Sequence, residues 1–242
     1  MKYRTIFTSD WHLGGSCNYS ALLNFIKQND ADVWYIVGDF LGLWEVARSH
    51  SWPAEANEIL RALIKKARTS KIIILYGNHD AALRHFVSLE LGNITVTDKT
   101  IFQALGGQRF LVLHGDIFDP IVTGHAKWLA HVGSALYDYL VVLNMSLNWI
   151  RKALGVKFWS FSAAIKQSVK QAVSYVGDFE ESVIEMAKQD GLQGAVVGHI
   201  HCAALKEING LLYINCGDFV ESLTFVAEHV DGKLELIYYD EH

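Results

Sequence analysis

Cysteine is scarce in this chain of 242 residues: Cys17, Cys202 and Cys216 are an odd number and show no Cys-x-x-Cys spacing. That count excludes a complete disulfide framework and a thiolate zinc site. Proline is scarcer still, with two residues, so a proline-rich linker has no place here. No apolar run reaches the roughly 18 residues needed to span a bilayer. Positive charge is also short. Lysine and arginine number 21 against 26 acidic residues, and the net charge of -5 gives no field that would gather nucleic acid. No signal peptide precedes the first apolar stretch, so a reducing cytoplasm is the expected compartment. What the chain does have is apolar mass, 51% of its residues. That is enough for one substantial core, and a single domain over 1–242 is expected.

The apolar residues come in short runs, and most runs end in the same chemistry. Ile72 to Tyr76 is a β-branched run that reads as a strand buried on both faces, and Gly77-Asn78-His79-Asp80 follows it. The run from Tyr3 to Thr8 leads into Asp10-Trp11-His12, and Val33 to Val37 leads into Gly38-Asp39. Phe110 to Leu113 ends in His114-Gly115-Asp116, and Gly194 to Val197 in Gly198-His199-Ile200-His201. Helices are expected between the early strands, at Ser20 to Gln28 and Ala54 to Arg68. This β-α-β-α-β order predicts a mainly parallel sheet. Open α/β sheets place ligands at the carboxyl ends of their strands, where all these clusters fall. If the backbone stays extended there, Asp10 and His12 share one side, as do His199 and His201.

Taken together, Asp10, His12, Asp39, Asn78, His114, His199 and His201 are seven oxygen and nitrogen donors without a thiolate. Such a set suits Mn²⁺, and also Fe or Zn²⁺. Seven donors are too many for one ion. Two ions sharing a bridging carboxylate would use them, and ions about 3.5–4 Å apart serve in-line attack of water on phosphorus.

The five motifs resemble those of the calcineurin-like metallophosphoesterase superfamily, from Asp10 to His201. The resemblance implies a four-layer α/β sandwich and two divalent metal ions, manganese by preference. It assigns Asp10, His12, Asp39 and His201 to the first ion. Asp39, Asn78, His114 and His199 go to the second, with Asp39 as the bridge. His79 becomes a non-ligand imidazole that meets the substrate phosphate and protonates the leaving oxygen, and Asp80 orients it. Trp52-Pro53, Arg84, the segment His114 to Asp119 and the segment Asn215 to Ser222 are similar to the UDP-2,3-diacylglucosamine pyrophosphatase-like branch. That branch hydrolyses a nucleotide-linked lipid pyrophosphate in lipid A biosynthesis, giving UMP and an acylated sugar 1-phosphate. The best-known members carry Arg where this chain has His79, and many relatives carry an acid where it has Gly42.

Between His114 and His199 lies an insertion, about 121–176, that is expected to cap the site as a helical hairpin. One helical stripe runs through Trp128, Val132, Leu136, Leu140, Leu143 and Leu147, and a second through Phe161, Ile165, Val169, Val173 and Val176. Trp149, Phe158 and Trp159 at the connection are candidates for an acyl-chain groove or a peripheral contact with the inner membrane face. Lys157, Lys166, Lys170 and Arg84 are candidate substrate-binding cations. Two other readings stand beside the lipid one: a phosphodiesterase acting on nucleotides or nucleic acid, and a metal-bearing membrane-surface binding protein.

Overall fold

The computed structural model describes residues 2–119 and 161–239, with backbone alone for 161–171. Two sheets carry the architecture. The first has seven strands: β1 (Lys2–Thr8), β2 (Asp30–Val37), β3 (Lys71–Leu75), β4 (Glu90–Leu91), β5 (Ile94–Thr97), β11 (Thr224–Glu228) and β12 (Leu234–Tyr238). Their order across the sheet is β12-β11-β1-β2-β3-β5-β4. The second has β6 (Lys99–Gln103), β7 (Arg109–Leu113), β8 (Gly194–Val197), β9 (Ala204–Ile208) and β10 (Leu211–Asn215), in the order β6-β7-β8-β10-β9. Strands β1, β2, β3 and β5 are parallel, and so are β7, β8 and β10.

Alternation along each strand divides the apolar runs between two cores. Ile6, Trp34, Ile36, Ile72 and Ile74 face the helices α1 (Tyr19–Gln28) and α3 (Ala54–Lys66), meeting Leu22, Phe25, Ile26, Ile59 and Leu63. Their sequence neighbours Phe7, Tyr35, Val37, Ile73 and Leu75 face the other way, onto Phe102, Phe110, Val112, Val196 and Ile214 of the second sheet. Burial on both faces explains why these strands read as unbroken apolar runs. Each fully buried side chain of this size contributes about 1.5–3 kcal/mol. Leu111, Leu113, Ala195, Val197 and Tyr213 are buried on the far face of the second sheet. The result is a mixed α/β fold of two sheets flanked by helices.

Local signals set the helix limits. Asn18 caps α1 by accepting the N–H of Ala21, and α3 starts directly after Pro53. A helix absent from the sequence reading, α2 (Leu43–Ser49), follows Gly42. It buries no residue, so it has no apolar stripe to betray it, although Glu45 in its first turn and Arg48 in its last suit the helix dipole.

The chain divides into two compact units, Met1–Asp116 with Val183–His242, and Ile117–Ser182. Both sheets belong to the first. In the second, Tyr175 donates to Asp119 Oδ1 at 3.0 Å, and Phe118 meets Phe179 edge to face with centroids 5.8 Å apart. The second stripe of the insertion lies on α4 (Phe161–Gln189), which runs well past Val176. Val173 of that stripe is 68% exposed, whereas Phe179, Val183 and Ala187, one turn apart from each other, are buried. Lys166 and Lys170 lie on this helix within its backbone-only part. Lys157, the first stripe, Trp149, Phe158 and Trp159 lie outside the described residues. No helix among the described residues is long and apolar enough to cross a membrane.

Candidate metal centre

Strand ends of both sheets converge on one place. Asp10 and His12 follow β1, Asp39 follows β2, Asn78 and His79 follow β3, His114 follows β7, and His199 and His201 follow β8. The loops after β1 and β2 are laced together, His12 N–H donating to Asp39 O (3.0 Å) and Leu13 N–H to Phe40 O (3.0 Å). The two sheets are joined here as well. His114 Nδ1 pairs with Val37 O of the first sheet at 3.0 Å, and within the second sheet Gly198 N–H donates to His114 O at 3.0 Å.

One expectation needs correction. Asp10, His12, His199 and His201 are not in extended backbone. Their φ angles are 53°, 48°, 71° and 52°, and that of Asp39 is 47°. Period-two alternation therefore does not bring these side chains together; a series of left-handed kinks does. Such angles are costly for residues with a Cβ and persist only where surrounding contacts impose them, typically at functional sites. Gly38 (φ 87°) and Gly77 answer a different constraint, close approach. A Cβ on Gly38 would sit 2.1 Å from His114 Nδ1, and one on Gly77 2.2 Å from Asp39 Oδ1.

The donors form three overlapping groups whose ligand atoms lie within 4.8 Å of one another: Asp10, His12 and His201; His12, Asp39 and His79; Asp10, Asp39 and His114. His201 Nε2 is 3.3 Å from Asp10 Oδ1, and His114 Nε2 is 3.3 Å from Asp39 Oδ2. His199 joins through its N–H, which donates to Asp10 Oδ2 at 3.0 Å, and its ring meets His114 at 5.0 Å. His79 thus stands within ligand range, although the sequence reading kept it outside the ligand set.

The fit to metal ions can be tested on hydrogen bonding. Buried polar atoms nearly always find partners. Among the described residues six buried side-chain nitrogen and oxygen atoms have none, and five are here: Asp10 Oδ1, both ring nitrogens of His12, Asn78 Oδ1 and His114 Nε2. Four expected ligands therefore carry unsatisfied donor atoms, and three of them, Asp10, His12 and His114, belong to the groups above. That arrangement suits divalent cations.

Electrostatics agrees. Burial raises the carboxyl pKa of Asp10, but His201, His114 and His12 together outweigh it, and the group is held well below the usual range. Burial and the charge of Asp10 raise the pKa of Asp39, and His114 and His12 together outweigh them, so it is lowered. Burial lowers the pKa of His114 while Asp39 raises it, with a net rise to about 10; His201, paired with Asp10, rises to about 9. His12, with burial dominant, is lowered. Cations are thus favoured wherever the two buried carboxylates lie.

Asp80 acts on the turn that carries His79 and not on its ring. It is fully buried, its Oδ1 accepts the N–H of Gly77 (2.7 Å) and its Oδ2 that of Leu41 (3.1 Å), so it holds the turn and ties it to the loop after β2. Burial raises its pKa to about 6. The carboxylate at the His79 ring is Glu45, from the first turn of α2, 3.3 Å from Nδ1. The ring also lies edge-on to His12, with centroids 4.5 Å apart. A Cβ on Gly42 would lie 2.9 Å from Glu45 Oε2. Glycine at that position leaves room for an acid that arrives three residues later. Arg84 sits in the 3-10 turn Ala81–Phe86, exposed, its Nε donating to Ala81 O at 2.8 Å.

A second residue given no role in advance is Asp218. It is buried, lies 4.0 Å from His201 Nδ1, and accepts from the N–H groups of Val220, Glu221 and Ser222 at 2.8, 2.5 and 3.2 Å. Its sequence signal was membership of the segment Asn215 to Ser222 that carries the resemblance.

A search of curated proteins finds no match. Among solved structures, a hypothetical protein from Pyrococcus horikoshii OT3 is similar at 13% identity and a TM-score of 0.51, covering 100% of this chain and 90% of its own. A novel archaeal phosphodiesterase has 15% identity and 0.47, covering 97% and 98%. Vacuolar sorting protein Vps29 from Entamoeba histolytica has 12% and 0.45, covering 98% and 99%. These likenesses concern the fold. The decisive match is to a family model, Calcineurin-like phosphoesterase, over residues 3–203, which takes in every strand-end donor described above. The chain belongs to the calcineurin-like phosphoesterase family and is a metal-dependent phosphoesterase.

Proposed function

We propose that this protein hydrolyses the pyrophosphate of a UDP-linked, acylated amino sugar or a similar lipid pyrophosphate, with two divalent ions at the strand-end cluster. The observation that carries the hydrolytic reading is the set of unsatisfied donor atoms gathered around Asp10 and Asp39. When bound, such ions lower the pKa of a water and neutralise charge on the phosphoryl oxygens. The chain's own residues do the rest. Asp39 would be shared between the ions, with Asp10, His12 and His201 completing one site and Asn78, His114 and His199 the other. Val37 O accepts from His114 Nδ1, which would leave Nε2 to the ion. His79 holds a proton for the leaving oxygen, and Glu45 keeps its ring in place.

The lipid part of the reading rests on the sequence resemblance at Trp52-Pro53 and Asn215 to Ser222, and on the apolar insertion. In this reading the insertion receives the acyl chains, manganese is the preferred metal, and the protein works at a membrane face. Its test compares substrates that share one scissile bond. With Mn²⁺ added, kcat/KM for the diacylated UDP-sugar should exceed that for its deacylated form by orders of magnitude, since each buried methylene contributes about 0.8 kcal/mol. Equal rates on both would sink the lipid substrate and leave the phosphoesterase intact.

The pairing of Glu45 with His79 gives a narrower expectation. Glu45→Gln should keep the metal content of the parent protein, because Glu45 is no ligand. Its kcat should fall on the order of 10- to 100-fold, the usual scale for lost carboxylate support of an imidazole. An unchanged kcat would show that His79 is held by its ring contacts alone.

A further inference from the structure

One large apolar side chain beside the site is unexplained by packing. Trp44 opens the exposed face of α2 and is 61% exposed, yet its indole lies over the His79 ring, with centroids 4.9 Å apart and planes inclined by 30°. Single exposed hydrophobic residues are ordinary. An exposed indole laid against the imidazole beside a metal cluster is not scattered in that sense. The two elements it spans are independent in sequence, α2 following β2 and His79 following β3. One turn along α2 from Trp44, and so on the same helix side, stands Arg48, also exposed, with no hydrogen bond or ion pair among the described residues. An open aromatic face and a free cation, side by side at a phosphate-hydrolysing centre, match the two halves of a nucleotide: a planar base and an anionic phosphate.

The geometry points to Trp44 as the stacking platform for the base of a nucleotide substrate, with Arg48 contributing charge on the same face. This rests on the phosphoesterase reading of the metal centre and narrows its substrates to those with a base near the scissile phosphate. The alternative physical role for the indole is to prop His79, and the two roles separate on ligands that differ only in the base.

Calorimetric titration of the Mn²⁺-loaded full chain with UMP, ribose 5-phosphate and inorganic phosphate makes that separation. Base stacking on an aromatic side chain has a typical scale of about fivefold or more in affinity. Wild type should bind UMP more tightly than ribose 5-phosphate by at least that factor. Trp44→Ala should erase the difference while leaving ribose 5-phosphate and phosphate unchanged, and Trp44→Phe should keep most of it. Equal affinity of wild type for UMP and ribose 5-phosphate would overturn the proposal. So would a loss in Trp44→Ala shared equally by all three ligands, which marks a prop for His79. Failure of wild type to bind any of them, phosphate included, would bring down the phosphoesterase reading and this inference with it.

Discussion

Asp39→Asn is expected to strip the centre of metal, with activity falling by more than about 10²-fold, beyond the range typical of residues that only support a ligand. Asp39 is where the donor groups overlap. Its Oδ1 accepts the N–H of His79 at 2.8 Å, while its Oδ2 lies 3.3 Å from His114 Nε2 and 3.8 Å from His12 Nε2. Those two histidines belong to different proposed ion sites, so a single carboxylate serves both. Asparagine keeps the volume and one oxygen but removes the charge that favours cations in this buried place. Asn78→Ala, which removes a donor from one site, should lose less. Elemental analysis of both purified variants makes the comparison. Full two-ion occupancy in Asp39→Asn, with activity kept, would refute the bridging assignment.

His79→Ala should behave in the opposite way, keeping both ions while kcat drops by about 10²–10⁴-fold, the usual range for a lost general acid. The ring is positioned by Glu45 at Nδ1 and by the edge of His12. Its backbone N–H holds Asp39 Oδ1, and alanine preserves that bond. The deficit should shrink for p-nitrophenyl esters, whose leaving group departs without a proton, and remain large for alkyl esters. Because His79 also lies within ligand range of His12 and Asp39, metal analysis must accompany the kinetics. Loss of an ion in His79→Ala would reassign it as a ligand. An equal loss on both ester types would make it a phosphate-positioning group.

The seven expected ligands were legible in the sequence because each sits directly after an apolar run, and such runs mark strands whatever surrounds them. Tyr3 to Thr8 and Val33 to Val37 announced β1 and β2 in this way. Glu45 was not legible. Its helix buries nothing, so no periodicity marked it, and its partner His79 is 34 residues away in sequence. The bonding of Asp80 was not legible for a related reason. Adjacency to His79 suggested a contact, but the turn aims the Asp80 carboxylate back at the amides of Gly77 and Leu41.

The succession of β1, α1, β2, α3 and β3 and the candidate donors at the strand ends can be read from the sequence. These follow from composition and period, which are local properties of the chain. How the donors meet is a matter of long-range packing. Left-handed kinks at Asp10, His12, Asp39, His199 and His201 replace the extended geometry that spacing alone suggested. The carboxyl ends of β7 and β8 come against those of β1, β2 and β3 because Phe7, Tyr35 and Ile73 of one sheet bury against Phe102, Val112 and Val196 of the other. That inter-sheet core brings His114 to Asp39 and His201 to Asp10, contacts between residues 75 and 191 positions apart, and it places Glu45 and Trp44 on His79. No local pattern encodes such distances; packing free energy, summed over both sheets, fixes them.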